Sequence, residues 1–183
     1  MSTLTYHVAA SLDGFIAHED GSADGFSWDD EVVSDFFADL GQFGTVLMGR
    51  KTYEVGLKEG KTSPYPMMRQ IVFSRTMTES PDEAVEVVQG DLVEIVRTVK
   101  QEADTPIWLC GGGEIAALLL DAGLIDRVVV KLNPVVFGSG IPLFGSGLSQ
   151  TSLELTSTKS YTCGVVLLDY SVSNNVSTSN GAD

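Results

Sequence analysis

Apolar and polar segments alternate along the chain in lengths that predict strands and helices in turn. Short runs with mostly apolar centres predict strands at 4–10, 45–49, 69–74, 84–88, 106–110 and 127–136. Continuous apolar runs of this kind are typical of parallel strands that are covered on both faces. The first run continues through an Asp13-Gly14 turn, a pair that favours a tight reversal of the chain.

Helical periodicity fills the intervals between these strands. Residues 29–41 place five apolar side chains on one face: Val32, Val33, Phe36, Phe37 and Leu40. Further helices are predicted at 50–57, from an Asp91 N-cap onward, and at 113–122, before Gly123.

The order of these elements predicts the fold class. Two segments near the end, 153–161 and 165–172, have the pattern of an antiparallel pair. We therefore expect an α/β fold with a mostly parallel central sheet, an antiparallel C-terminal strand and helices on both faces. No repeat or linker interrupts the pattern, so we expect one domain over 1–172 and a polar tail over 173–183.

Composition narrows the classes of function. The net charge of −14 argues against a nucleic-acid partner, which would require a basic face. No apolar run approaches the roughly 18 residues of a membrane span, and the N-terminus lacks a basic leader, so we expect a cytoplasmic protein. Cys110 and Cys163 lack the spacing of metal ligands, and no metal site is expected.

The basic residues are distributed unevenly. Residues 50–75 carry six of the 11 basic residues against only two acidic ones, Glu54 and Glu59. This segment is either a solvated loop in which charges cluster by chance or a local anion site on an otherwise anion-repelling protein.

Glycines mark two junctions between a predicted strand and a predicted helix. Gly49 precedes Arg50, Lys51 and Thr52, and the run 111–113 precedes Glu114. A helix N-terminus offers free N–H groups and a partial positive charge, and glycine lets an anion approach them closely. The alternative is that the glycines only make tight turns. The Gly-x-Gly-x-x-Gly fingerprint is absent, because Ala116 stands where it requires glycine.

Five motifs in order resemble a known family. These are AASLDGFIA, VLMGRKTYE, IVFSR, IWLCGGGEI and NPVVFGSGIPLF. Together they resemble the dihydrofolate reductase-like superfamily over about residues 4–172, and in particular the small stand-alone relatives of its riboflavin-biosynthesis reductase branch. The resemblance implies a three-layer dihydrofolate reductase-like fold and NADPH as cofactor.

The resemblance also assigns cofactor-binding residues. It places the phosphates at Arg50, Lys51 and Thr52, and the adenosine 2′-phosphate at Ser74 and Arg75. The remaining cofactor-binding positions are the two glycine junctions, the residues that follow the second of them and two positions beside the nicotinamide: Gly49, Gly111, Gly112, Gly113, Glu114, Ile115, Ala10 and Ile16. Guanidinium and hydroxyl groups suit a phosphate, which agrees with this assignment.

The catalytic acid is less well defined. The position of the dihydrofolate reductase carboxylate matches Val33, which cannot donate a proton. Asp13 and Asp30 are the candidates, although Asp13 also suits a tight turn and Asp30 the N-terminus of a helix. Phe26 and Trp28 are candidates for the walls of a substrate pocket, with a place in the core as the alternative. Residues 55–66 lack the Asp-Pro pair of the riboflavin reductases, which argues against their ribityl-phosphate substrate.

The sequence therefore predicts an NADPH-dependent reductase that transfers hydride to a small heterocyclic or imine-like substrate of the pterin or pyrimidine type. The alternative is a protein that binds NADPH without turnover. We also expect a homodimer, because the apolar segment 134–144 would form a large patch if it were exposed.

Overall fold

The predicted strands assemble into one long sheet in the computed structural model, which describes residues 1–173. The strands are β1 (Leu4–Ser11), β2 (Phe15–Ala17), β3 (Thr45–Gly49), β4 (Arg69–Phe73), β5 (Val85–Val88), β6 (Ile107–Gly111), β7 (Arg127–Asn133), β8 (Ile141–Pro142), β9 (Leu153–Ser160) and β10 (Val166–Val172). The helices are α1 (Asp30–Leu40), α2 (Arg50–Lys58), α3 (Leu92–Glu102) and α4 (Gly113–Asp121).

Within residues 1–173, eight strands form the main sheet in the order β5-β4-β3-β6-β1-β7-β10-β9, and β2 pairs with β8 in a small second sheet. Every pairing from β5 to β7 is parallel. Strand β10 runs antiparallel to both of its neighbours. This confirms the predicted mostly parallel sheet with an antiparallel C-terminal strand. The carboxyl ends of β3, β4, β5 and β6 consequently lie side by side at the same end of the sheet.

The helices cover both faces of the sheet. Leu40, at the end of α1, and Tyr53 of α2 pack in one core cluster with Trp108 of the sheet. Val96 of α3 and Leu119 of α4 pack in another cluster on the opposite face. The predicted three-layer arrangement is confirmed, because apolar side chains alternate between these two clusters along the central strands.

The helix N-termini are of two kinds. Asp29 accepts a hydrogen bond from Glu31 N at the start of α1, and Asp91 accepts from Val93 N and Glu94 N at the start of α3. Glycines occupy the same position in α2 and α4, Gly49 and Gly112, and neither helix has a side-chain cap. The first N–H groups of α2 and α4 are therefore left for another partner.

The segment 134–144 packs partly against its own chain. The ring of Phe137 stacks on Phe26 and His18, with centroid distances of 5.0 and 4.0 Å. Leu143 and Phe144 pack against the main core cluster, while Val136 remains 65% exposed. The apolar surface from which we predicted a homodimer is thus reduced, and the homodimer stays a prediction.

Two further expectations concern the ends and the surface of the chain. The predicted polar tail over 173–183 lies outside the described residues, apart from Ser173. In the part of the chain that the structure describes, no helix has the length and apolar character needed to cross a membrane.

Candidate functional site

A cleft of about 2010 Å³ opens where the carboxyl ends of the parallel strands meet. Both glycine junctions line it, together with the turns that follow β4 and β5. The cleft continues along the sheet face that carries α1. We call the first part the junction end and define it by residues 49–52, 74–75 and 111–114.

The two glycine junctions lie against each other at the junction end. A Cβ atom added at Gly49 would lie 3.0 Å from Ile115 Cδ1 and 3.7 Å from Gly112 N. A Cβ added at Gly111 would lie 3.5 Å from Thr52 Oγ1. The N-termini of α2 and α4, which have no side-chain caps, are therefore side by side. Together they present free N–H groups and positive dipole ends to one region of the cleft.

The three glycines of the second junction differ in backbone conformation and in the space beside them. A Cβ at Gly113 would overlap the Pro142 carbonyl oxygen and lie 3.4 Å from Gly145 N. Gly111 has a φ of +148° and is joined to Gly112 by a cis peptide bond. A Cβ at Gly112 would meet only Thr52 Oγ1, at 3.9 Å. The space beside Gly113 is thus filled by its own chain, whereas the space beside Gly112 is open.

The basic cluster at 50–75 divides in two in the structure. Arg69 begins β4, at the end of the strand opposite to the cleft, and its Nε lies 2.8 Å from a Glu86 oxygen. Arg75 follows the carboxyl end of the same strand and lines the cleft with Lys51. Among residues 1–173, neither Arg75 nor Lys51 has a carboxylate within 4.0 Å. Arg50 also lines the cleft, but its Nη1 lies 2.6 Å from Glu54 Oε1.

Ser74 holds the turn that carries Arg75. Its hydroxyl oxygen accepts hydrogen bonds from Thr76 N at 3.1 Å and Met77 N at 2.7 Å. The residue is buried but lines the cleft. The serine therefore fixes the backbone beside Arg75 while its hydroxyl proton remains available to an acceptor.

Some predicted site residues are not brought to the cleft. Ala10 is only 1% exposed and lies in the core behind it, whereas Ile16 lines it. Asp13 accepts hydrogen bonds from the Ser11 hydroxyl, Phe137 N and Gly138 N, outside the cleft lining. The hydroxyl bond is the main reason why the pKa of Asp13 is lowered to about 2. Asp30 is exposed in the first turn of α1 and does not line the cleft either.

The other part of the cleft is walled by aromatic rings. We call it the aromatic pocket and define it by His7, Trp28, Phe36, Trp108 and Lys131, all of which line the cleft. The ring centroid of Phe36 lies 5.3 Å from that of His7 and 5.9 Å from that of Trp108. Trp108 Nε1 donates to the His7 carbonyl at 2.9 Å, which fixes the indole against β1.

The two aromatic residues predicted to wall a substrate pocket both line the cleft, in different ways. Phe26 is only 8% exposed and stacks on Phe137. Trp28 is 70% exposed, although tryptophan is usually well buried. Cys110 also lines the cleft, with Sγ 3.6 Å from the Tyr65 hydroxyl.

Burial sets the protonation states of the aromatic pocket. It lowers the pKa of His7 to about 4, with smaller contributions from Arg127 and Lys131. It also lowers the pKa of Lys131 and raises that of the Cys110 thiol to about 11. At neutral pH the imidazole of the pocket is therefore neutral, and the thiol of Cys110, which also lines the cleft, is protonated. No cluster of three or more His, Cys, Asp or Glu residues suited to a metal occurs within residues 1–173.

Sequence reasoning missed His7 and Lys131 as parts of the cleft. His7 lies within the first apolar run and reads as a core residue. Lys131 interrupts the β-branched run 127–136, and a lysine inside such a run was the available signal. Periodicity alone does not distinguish a lysine that reaches solvent from one that reaches a cleft.

Comparisons with known proteins identify a family whose model matches most of the chain. The sequence model of the family described as "RibD C-terminal domain" matches residues 2–167. "Uncharacterized protein YwjB" of Bacillus subtilis (strain 168) is 35% identical over 162 residues, which cover 85% of this chain and 90% of that protein.

Solved structures show the same fold. A crystal structure from Shewanella sp. PV-4, named "Putative riboflavin biosynthesis protein", has a TM-score of 0.81 and 28% identity, and the match covers 94% of this chain and 99% of that one. Dihydrofolate reductase from Enterococcus faecalis, complexed with NADP(H) and RAB-propyl, has a TM-score of 0.72 and 19% identity, with coverage of 94% and 97%.

Proposed function

The chain belongs to the RibD C-terminal domain family, and from this premise we propose that it is an NADPH-dependent reductase. Its substrate in this proposal is a small heterocyclic or imine-like compound of the pterin or pyrimidine type. The observation that carries the proposal is the junction end. There, two helix N-termini without side-chain caps adjoin Lys51 and Arg75, for which residues 1–173 provide no carboxylate partner within 4.0 Å.

The residues of the junction end fit the phosphates of NADPH. The open space beside Gly112 would admit a pyrophosphate to the N–H groups of α2 and α4. Arg75, on the turn fixed by Ser74, would pair with the 2′-phosphate. The dihydrofolate reductase of the same fold has been solved with NADP(H), which supports the same cofactor here.

The remainder of the cleft fits a planar substrate. When bound, NADPH would supply a hydride, and this chain would supply orientation and a shaped, partly dry pocket. The rings of Trp28 and Phe36 would hold a flat heterocycle, while the buried floor formed by His7 and Trp108 would exclude water from one side.

The reductase proposal is tested by turnover. Purified protein is incubated with NADPH and a panel of pterins, dihydropterins, pyrimidines and cyclic imines, while the near-ultraviolet absorbance of reduced nicotinamide is followed. We expect oxidation with at least one member, at a rate that depends on its concentration. NADPH binding without oxidation across the whole panel would contradict the reductase.

One observation favours a second candidate, a protein that binds NADPH without turnover. Neither Asp13 nor Asp30 lines the cleft, and the family resemblance matches Val33, which does line it, to the position of the dihydrofolate reductase carboxylate. Binding measured by calorimetry, together with an inactive panel, is the result that this candidate predicts.

We also propose that the protein forms a homodimer. Strand β9 lies at one edge of the sheet with all eight residues exposed, including Leu155 at 50%. An unpaired edge with apolar side chains is a surface on which a second copy can pair. Light scattering should give about twice 19.5 kDa, and a persistent mass of 19.5 kDa would contradict the proposal.

A further inference from the structure

Lys131 occupies an unusual place for a lysine, inside the sheet. It lies on β7 between Ala9 of β1 and Leu167 of β10, and it is only 9% exposed. His7 lies two residues before Ala9, so the side chains of His7 and Lys131 share one face of the sheet. The Lys131 ammonium group is therefore directed to the face that α1 covers and where the aromatic pocket lies.

Among the described residues, this ammonium group has only aromatic rings as partners, those of Trp28 and Phe36. Within residues 1–173, Lys131 Nζ makes no hydrogen bond and has no carboxylate within 4.0 Å. Asp35 and Asp39 line a small void next to Lys131, but Asp35 is already bound by Lys159 at 2.5 Å and by the Tyr161 hydroxyl at 2.8 Å. Desolvation lowers the pKa of Lys131, as expected for a buried cation without an anionic partner.

A second buried lysine, Lys100, has hydrogen-bond acceptors for its ammonium group and serves as a comparison. Lys100 is 5% exposed, and its Nζ donates to the Leu124 carbonyl at 2.7 Å and to Asp126 Oδ2 at 2.5 Å. A buried charge without such partners is costly to the folded state. Among the described side chains, no fully buried nitrogen or oxygen atom lacks a hydrogen-bond partner, so Lys131 Nζ is not fully buried, and Lys131 lines the cleft.

The surroundings of Lys131 are flat and apolar. Its Nζ lies 5.3 Å from the ring centroid of Trp28 and 6.0 Å from that of Phe36. The indole of Trp28 is 70% exposed at the mouth of the pocket. An ammonium group beside an exposed aromatic face is suited to a ligand that offers both an anion and a ring.

We infer that the aromatic pocket binds a planar heteroaromatic substrate that carries an anionic group, and that Lys131 pairs with this group while Trp28 stacks on the ring. This inference rests on the proposed reductase function, because it names the class of substrate. It makes Lys131 a binding and specificity residue. The net charge of −14 would otherwise disfavour such a ligand, so the preference for an anion must come from the pocket itself.

The test uses matched ligands that differ in one carboxylate, namely orotate against uracil and pterin-6-carboxylate against pterin. Calorimetry measures their binding to the full-length protein saturated with NADP⁺ and, separately, to the protein alone. The wild type should bind at least one anionic member about ten-fold or more tightly than its neutral partner. Lys131→Met, which keeps the apolar stem, should lose most of this preference and retain its affinity for NADP⁺.

Lys51→Met is the matched control, because it removes the same charge from the junction end of the same cleft. It should keep the preference for the anion and weaken NADP⁺, which is the reverse of Lys131→Met. If the wild-type protein bound both members of each pair with equal affinity, that result by itself would overturn the inference. The same holds if neither member bound at millimolar concentration. A preference that persists in a folded Lys131→Met protein would overturn it as well. Failure of NADP⁺ to bind, with the anion preference intact, would instead count against the proposed function.

Discussion

The junction end and the aromatic pocket, the two parts of the cleft, are lined by different kinds of groups. The junction end offers backbone N–H groups and two cations without a carboxylate partner, Lys51 in the first turn of α2 and Arg75 on the turn after β4. The aromatic pocket offers side chains alone, and its residues come from β1, the segment just before α1, the middle of α1, β6 and β7. The first end is suited to phosphates of fixed shape, and the second to a ring whose identity depends on side chains.

This difference separates what is general from what is particular in the protein. A backbone site at the carboxyl ends of parallel strands depends on the fold and on a few glycines, so related chains can share it. A pocket of side chains can change its ligand when one residue changes. We therefore expect substitutions at the junction end to affect the fold or the cofactor, and those in the aromatic pocket to affect the substrate.

We expect the largest effect at Gly113, because backbone atoms of Pro142 fill the space beside it. Gly113→Ala would bring a Cβ into the backbone of Pro142, which cannot move without displacing the segment that packs on α4. We expect a loss of about 4 kcal/mol or more in the free energy of unfolding, or an insoluble protein. Chemical denaturation measures this.

Gly41→Ala is the matched control, because Gly41 ends α1 with an ordinary helical φ of −62°. It should change the free energy of unfolding by no more than about 0.5 kcal/mol. A Gly113→Ala protein as stable as this control would mean that Gly113, too, is kept free for a ligand.

The next effect concerns the floor of the aromatic pocket. Burial lowers the pKa of His7 to about 4 from 6.5, so between these pH values the unfolded chain binds a proton that the folded protein does not. Stability should therefore fall as the pH is lowered from 6.5 towards 4, and His7 should contribute roughly 3 kcal/mol to this loss.

The contribution is measured by comparing His7→Gln with the wild type by denaturation at several pH values. The difference between the two proteins should be constant above pH 7 and should shift in favour of the variant as the pH falls, because only the wild type loses the His7 contribution. Parallel curves down to pH 4 would show that His7 is protonated inside the fold.

A smaller effect should separate the two cofactors. Arg75→Ala should weaken NADPH binding by about 1.5–3 kcal/mol and leave NADH nearly unchanged, because only NADPH has a 2′-phosphate. Arg69→Ala removes the same charge from the other end of β4, where Arg69 pairs with Glu86, and should affect neither cofactor. Equal losses for NADPH and NADH in Arg75→Ala would place the 2′-phosphate elsewhere.

The smallest effect concerns the ion pair in the first turn of α2. Glu54→Gln would release Arg50, whose guanidinium group lies 2.6 Å from the Glu54 carboxylate. Both side chains are about one third exposed, so we expect NADPH to bind more tightly by only about 0.2–1 kcal/mol, and less so at high salt. Glu86→Gln makes the same change of charge beside Arg69 and should leave NADPH affinity unaltered. Equal gains in both variants would indicate a general field and no contact by Arg50.

The order of the elements and the residue types of the junction end could be predicted from the amino-acid sequence alone. Apolar runs mark the parallel strands, because a strand covered on both faces has no polar side to show. The glycines, Arg75 and the basic start of α2 each lie within a few residues of a strand end, so their placement follows once the strands are parallel.

Contacts between residues that are far apart in the sequence became known only from the folded chain. The structure divided Arg69 from Arg75, which the sequence had grouped, because the two residues lie at opposite ends of one strand. It showed that Gly113 is enclosed by Pro142, a residue 29 positions away, and that Asp13 is held by the backbone at 137–138. It also placed Lys131 beside the Trp28 ring, with no carboxylate within 4.0 Å among residues 1–173. Such contacts between distant residues depend on strand order and register, which local propensity and periodicity do not encode.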